Sequence, residues 1–82
     1  MNKLKVLLVD DEVKIREGFK RLFDWESHDL EVIGEASDGL EALSRIDEYK
    51  PNIVVMDINI PIMNGLKVIE MSKLRHPNTA FI

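Results

Sequence analysis

Residues 4–12 read Leu4-Lys5-Val6-Leu7-Leu8-Val9-Asp10-Asp11-Glu12, and the fold follows from them. An apolar, β-branched-rich run broken only by Lys5 is the pattern of a central strand covered on both faces. It stops at two adjacent carboxylates. Behind them Ile15, Phe19, Leu22 and Phe23 recur at helical spacing and form one apolar stripe, with acidic residues favourably placed near the helix amino end. A buried strand feeding an amphipathic helix opens a β-α-β unit, which predicts a parallel sheet.

The same alternation continues outward from there. Asp24 to Leu30 is a polar connection apart from Trp25, and Glu31-Val32-Ile33-Gly34-Glu35-Ala36 alternates less cleanly and carries a glycine, as an edge strand does. Ser37-Asp38-Gly39 supplies turn chemistry, with Asp38 as helix N-cap and Glu41 three residues on. Leu40, Leu43 and Ile46 then mark a helical face that should end near Tyr49, before Pro51. Ile53-Val54-Val55-Met56 is the most β-prone tetrapeptide of the chain and ends at Asp57, ahead of a loop with Pro61, Asn64 and Gly65. Residues 66–75 form a third helix stopped by His76-Pro77, and residues 78–82 begin a fourth strand. The predicted fold is α/β, a doubly wound parallel sheet in one domain over residues 1–82. No repeat, low-complexity tract or linker divides it.

Composition narrows the function classes. The chain has 82 residues, no cysteine, 45% hydrophobic residues and a formal charge of −4, which fits a soluble unit of a reducing compartment and a cytoplasmic location. The apolar run behind the basic start at residues 1–5 stops at Asp10, short of the about 7 to 15 residues of a secretory h-region, so neither a leader nor a membrane span is expected. With 11 Lys and Arg against 15 Asp and Glu and no basic run, these residues are not expected to hold nucleic acid by its phosphates. A unit this short without disulfides is expected to be only marginally stable.

Consecutive parallel strands finish on one sheet edge, so Asp10, Asp11 and Asp57, all just past inferred strand ends, should converge. Three aspartates at one point suit Mg²⁺, a hard octahedral cation that takes oxygen ligands. Asp57 stands alone at its strand end before a loop and is the best nucleophile for accepting a phosphoryl group, with Asp10 and Asp11 as a ligand pair. Taken singly, each acid reads more readily as a strand end, helix cap or loop residue than as a site. Their joint placement carries the site reading.

Three segments, Val6-Leu7-Leu8-Val9-Asp10-Asp11-Glu12, residues 35–43 (EASDGLEAL) and residues 57–65 (DINIPIMNG), closely resemble the receiver domains of two-component response regulators. The resemblance implies a flavodoxin-like sheet of strand order 2-1-3-4-5, with Asp57 as phosphoacceptor, Asp11 as a direct Mg²⁺ ligand beside Asp10, and the Asn59 backbone carbonyl as a further ligand. It implies a sensor histidine kinase as phosphoryl donor and a signalling module in place of an enzyme. The Asn59 side chain, two residues past Asp57, would stand beside the attacking water and affect phosphoryl lifetime. Asp24-Trp25-Glu26-Ser27-His28 is similar to receivers joined to an AraC-type DNA-binding output domain, so transcription regulation through a domain outside these residues is expected.

Relative to that pattern the chain covers the first four strands and three helices. The Ser or Thr after the fourth strand and the Lys after the fifth are not among its residues. An exposed fourth strand and a sheet face covered only by the first helix are therefore expected to favour a homodimer or a domain-swapped oligomer.

Two rivals stand against the phosphoacceptor. A dehalogenase-type phosphatase also uses a strand-end aspartate with Mg²⁺, but places a second Asp two residues on, where this chain has Asn59. A receiver-like interaction module that is never phosphorylated has no use for all three acids. Elsewhere Trp25 is expected to pack over a helix end, and His28, His76 and most helix Lys, Arg and Glu to face solvent. Gly39 and Gly65 fit turn and helix starts, since neither belongs to a phosphate-cradling glycine pattern.

Overall fold

The computed structural model describes residues 3–82; Met1 and Asn2, part of the basic start, lie outside them. Strand β1 (Leu4–Val9) pairs in parallel with β2 (Leu30–Ala36) on one side and β3 (Ile53–Met56) on the other, and β4 (Ala80–Phe81) pairs with β3. The order β2-β1-β3-β4 puts β2 on an edge, as its broken alternation predicts. The register slips by one residue between Val6 and Leu7, where Val32 and Gly34 of β2 are the successive partners. Helices α1 (Val13–Leu22), α2 (Gly39–Tyr49) and α3 (Gly65–Arg75) link the strands, with a 3-10 turn at Glu26–His28 before β2.

Local chemistry sets the helix starts. The Asp38 carboxylate accepts the Glu41 N–H at 2.8 Å, and Glu41 reaches back to the Ser37 N–H at 2.7 Å. This reciprocal capping starts α2 where the sequence placed it. Asn64 caps α3 through the Lys67 N–H at 3.0 Å. Gly39 and Gly65 are the first residues of these helices, and both are required by close approach. A Cβ on Gly39 would enter the backbone of Met63, and one on Gly65 would lie 2.7 Å from the Ile58 Cα. The loop after β3 is thereby pressed onto the start of α2, with the Gly39 N–H on the Pro61 carbonyl.

Alternation along the strands divides the core. Leu7, Val9, Val54 and Met56 pack with Ala42, Leu43 and Ile46 of α2 and Val68 of α3 into one buried cluster. Val6 and Leu8 alternate with these and are also buried, on the α1 side of the sheet. That side is thinly covered. No residue of α1 is buried: Ile15 and Phe19 are about half-exposed, as is Phe23 just past the helix end, and Leu22 is 87% exposed. An open apolar groove lined by Val6, Phe19, Phe23, Val55 and Ile82 runs beneath the helix. The stripe thus meets the sheet but is not sealed against it.

Trp25 packs over the end of α1 as expected, its indole N–H donating to the Phe19 carbonyl at 3.0 Å and its ring edge-on to Phe23. His28 is exposed and stacks on Phe23. His76 corrects its expectation. Its side chain is 16% exposed and lies 2.8 Å from an Asp47 carboxylate oxygen, while Arg75 holds the other oxygen at 2.9 Å. The cause is tertiary: α2 and α3 lie side by side, which brings the last turn of one to the C-cap of the other.

Candidate functional site

The ends of β1 and β3 meet as the parallel topology requires. Val9 and Met56 are register partners, and the Asp57 N–H continues the ladder by donating to the Val9 carbonyl at 3.1 Å. On the other side of β1 the Asp10 N–H donates to the Ala36 carbonyl of β2 at 3.1 Å. Asp10, Asp11 and Asp57 consequently each offer a carboxylate oxygen, all within 4.8 Å of one another. Asp11 and Asp57 are exposed and Asp10 is half-buried.

Asp10 and Asp57 also have local structural partners. Asp10 accepts the Glu12 N–H at 2.9 Å and Asp57 accepts the Asn59 N–H at 3.0 Å, so both strand ends close in short side-chain turns. Capping and site roles coexist, because each bond occupies one oxygen and leaves the other. Asn59 is exposed and meets Asp57 through its backbone N–H. Glu12 is the N-cap of α1 but makes no side-chain cap, so the acidic run aids that helix by position alone.

The donor set fits a hard divalent cation. Three exposed or half-exposed carboxylates supply only oxygen, within a space one ion can span, and their approach to water leaves room for the coordinated waters Mg²⁺ retains. Bringing three negative charges this close is unfavourable without a counter-charge, which a divalent ion supplies.

The rim of the site contains residues that local pattern did not single out. A groove of about 250 Å³ beside the acids is lined by Leu8, Asp10, Ile15, Arg16, Phe19 and Asp57. Arg16 is not a solvent-facing helix charge, for its side chain is 13% exposed. Its Nε donates to Glu35 at 2.8 Å and its Nη1 to the carbonyl oxygen of Asp10. Lys20, one turn along α1, holds the other Glu35 oxygen at 2.8 Å. The bond from Lys20, and then that from Arg16, keeps the Glu35 carboxyl below its ordinary range, while Glu35 and then Glu17 raise the Lys20 ammonium. The sequence signal for this triad is the spacing of Arg16 and Lys20 by one turn. Their acidic partner becomes visible only when β2 is known to lie beside β1.

The model of the response regulator receiver domain matches residues 6–82. The chain belongs to this family. The receiver is 39% identical over 79 residues to an uncharacterized transcriptional regulatory protein, YhcZ, of Bacillus subtilis, covering 96% of this chain and 36% of that protein. The receiver therefore spans about a third of the length of that curated relative. It is similar to the REC domain of AraT, a response regulator from Geobacillus stearothermophilus, at TM-score 0.90 and 37% identity, covering 95% of this chain and 60% of that one. It also resembles the CheX-CheY-BeF3-Mg²⁺ complex from Borrelia burgdorferi, at TM-score 0.82 and 28% identity over 96% of this chain and 58% of that one. The fold is the flavodoxin-like receiver fold, with the four strands of this chain in the order 2-1-3-4.

Proposed function

We propose that residues 1–82 are receiver sequence, the first four strands of its sheet, and that the receiver is phosphorylated on Asp57 by a sensor histidine kinase with Mg²⁺. The observation that carries this reading is the convergence of Asp10, Asp11 and Asp57 within 4.8 Å at the strand ends. A free Asp57 oxygen forms the new P–O bond as the P–N bond of the donor phosphohistidine breaks, leaving an acyl phosphate. Asp10, Asp11, Asp57 and the Asn59 carbonyl would hold the Mg²⁺, which would supply charge neutralisation at the transferring oxygens. The kinase's phosphohistidine is the phosphoryl donor, and the chain acts as acceptor and signal carrier, a signalling module in place of an enzyme.

The response controls a DNA-binding output domain and so transcription, a reading supported by the transcriptional regulatory protein among the relatives. An AraC-type output is supported by residues 24–28 alone. The cell compartment is the cytoplasm, where such kinases present their phosphohistidine. Among the described residues no helix is long and apolar enough to cross a membrane. Within residues 3–82 the half-exposed apolar side chains of α1 support a homodimer or swapped oligomer.

Intact mass after incubation with Mg²⁺ and acetyl phosphate tests the central claim. One phosphoryl group is expected on a protein extended through a fifth strand and helix, and none on its Asp57→Ala variant. An extended protein that stays unmodified and binds no Mg²⁺ would leave the unphosphorylated interaction module as the function.

A further inference from the structure

Asp10 and Asp11 share a peptide plane, and the direction of that plane decides where the Asp11 side chain starts. One contact holds it, and a second holds the Val9–Asp10 plane before it. The Asp10 N–H is fixed to the Ala36 carbonyl of β2, and the Asp10 carbonyl accepts from Arg16. Arg16 is in turn fixed, since its Nε is bonded to Glu35 at 2.8 Å and the second Glu35 oxygen is taken by Lys20. The guanidinium suits this task because its fork is planar and carries several donors at set angles, so one side chain bridges a carboxylate and a carbonyl.

We propose that Arg16, anchored on Glu35, is a positioning residue of the acidic site, gripping the Asp10 carbonyl so that Asp10 and Asp11 stay aimed at Asp57. This rests on the Mg²⁺ reading of the site. Groups that orient ligands from behind commonly change metal affinity by about 10- to 100-fold when removed.

The sign of the effect separates positioning from simple charge. Arg16 is a cation near a cluster that is to bind another cation, so by charge alone it opposes Mg²⁺, and its removal would tighten binding. As a positioning group it favours Mg²⁺, and its removal weakens binding. A purely scaffolding role would lower the melting temperature and leave the affinity of the folded chain unchanged.

Isothermal titration with Mg²⁺ alone, with amide NMR spectra to verify folding, decides between these outcomes. Arg16→Met is expected to weaken Mg²⁺ binding about tenfold. Arg16→Lys should recover only part of that, because an ammonium keeps the charge without the fork. Lys14→Met removes an exposed α1 cation that makes no such bridge, and should leave affinity equal or slightly higher. Equal or tighter binding by folded Arg16→Met overturns the inference. If that variant does not fold, Glu35→Gln replaces it: a severalfold weakening is expected, and unchanged affinity overturns the inference. If the unaltered chain binds no Mg²⁺, the metal reading itself fails and this inference with it. Equal binding by the unaltered chain and Arg16→Met removes this inference alone.

Discussion

Ile62, in the loop behind Asp57, has φ of 73° and is 72% exposed. A β-branched side chain in the left-handed region crowds its own backbone, and exposure means that little packing offsets the strain. Asparagine tolerates this conformation better. Ile62→Asn should therefore raise stability by about 1 kcal/mol, seen as a higher melting temperature by circular dichroism; an unchanged or lower one would count against strain at this position. At the same scale, the aspartates were legible because each ends an apolar run. Arg16 and His76 were not, because their partners Glu35 and Asp47 lie 19 and 29 residues away. Nothing in a local pattern distinguishes a surface cation from one that will meet a carboxylate on a neighbouring element.

Among the elements, α1 depends on the Arg16, Lys20 and Glu35 contacts more than the other helices do, since it buries no residue of its own. Lys20 and Arg16 hold the Glu35 carboxyl below its ordinary value near 4.5. A depressed carboxylate contributes stability that is present above the unfolded value and is lost as pH falls through the folded one. The Lys20 ammonium is raised from 10.5, so its contribution is present below that value and is lost as pH rises through the folded one. The tether is complete between about pH 4.5 and 10.5. Urea unfolding should accordingly find Glu35→Gln less stable than the unaltered chain at pH 7, with the gap narrowing as pH falls below about 4.5 and through the folded-state value. A gap that does not narrow with falling pH would sink the account. Element boundaries were largely legible from local chemistry: β1 and β3 lie where their apolar runs do, and α2 begins at the Asp38 cap. What sequence periodicity could not convey was how tightly each apolar stripe is covered. Ile15, Phe19 and Phe23 have helical spacing whether or not a layer closes over them.

For the whole molecule, a cation held by the three carboxylates would couple to folding. The unfolded chain has no such cluster, so Mg²⁺ that binds the folded form stabilises it by mass action. At a concentration 100 times Kd the gain is about 2.7 kcal/mol, which for a domain of this size raises the melting temperature by about 10 to 20 °C. Calorimetry with and without Mg²⁺ should find that rise, and Asp57→Ala should reduce it; an equal rise in both would place the ion elsewhere.

The one-sided core has a further consequence. The α2 and α3 layer shares its buried side chains with the middle of the sheet, whereas α1 rests on a half-open face. Within residues 3–82, helix α1 is thus expected to open as a separate unit, at a lower free energy than the remainder unfolds. Yet it carries the guanidinium that grips the turn of Asp10. Linkage between the two is reciprocal: each departure of the helix loosens the acids, and an ion seated among the acids favours the helix at rest on the sheet. A thinly covered helix and the acidic cluster would therefore report on one another.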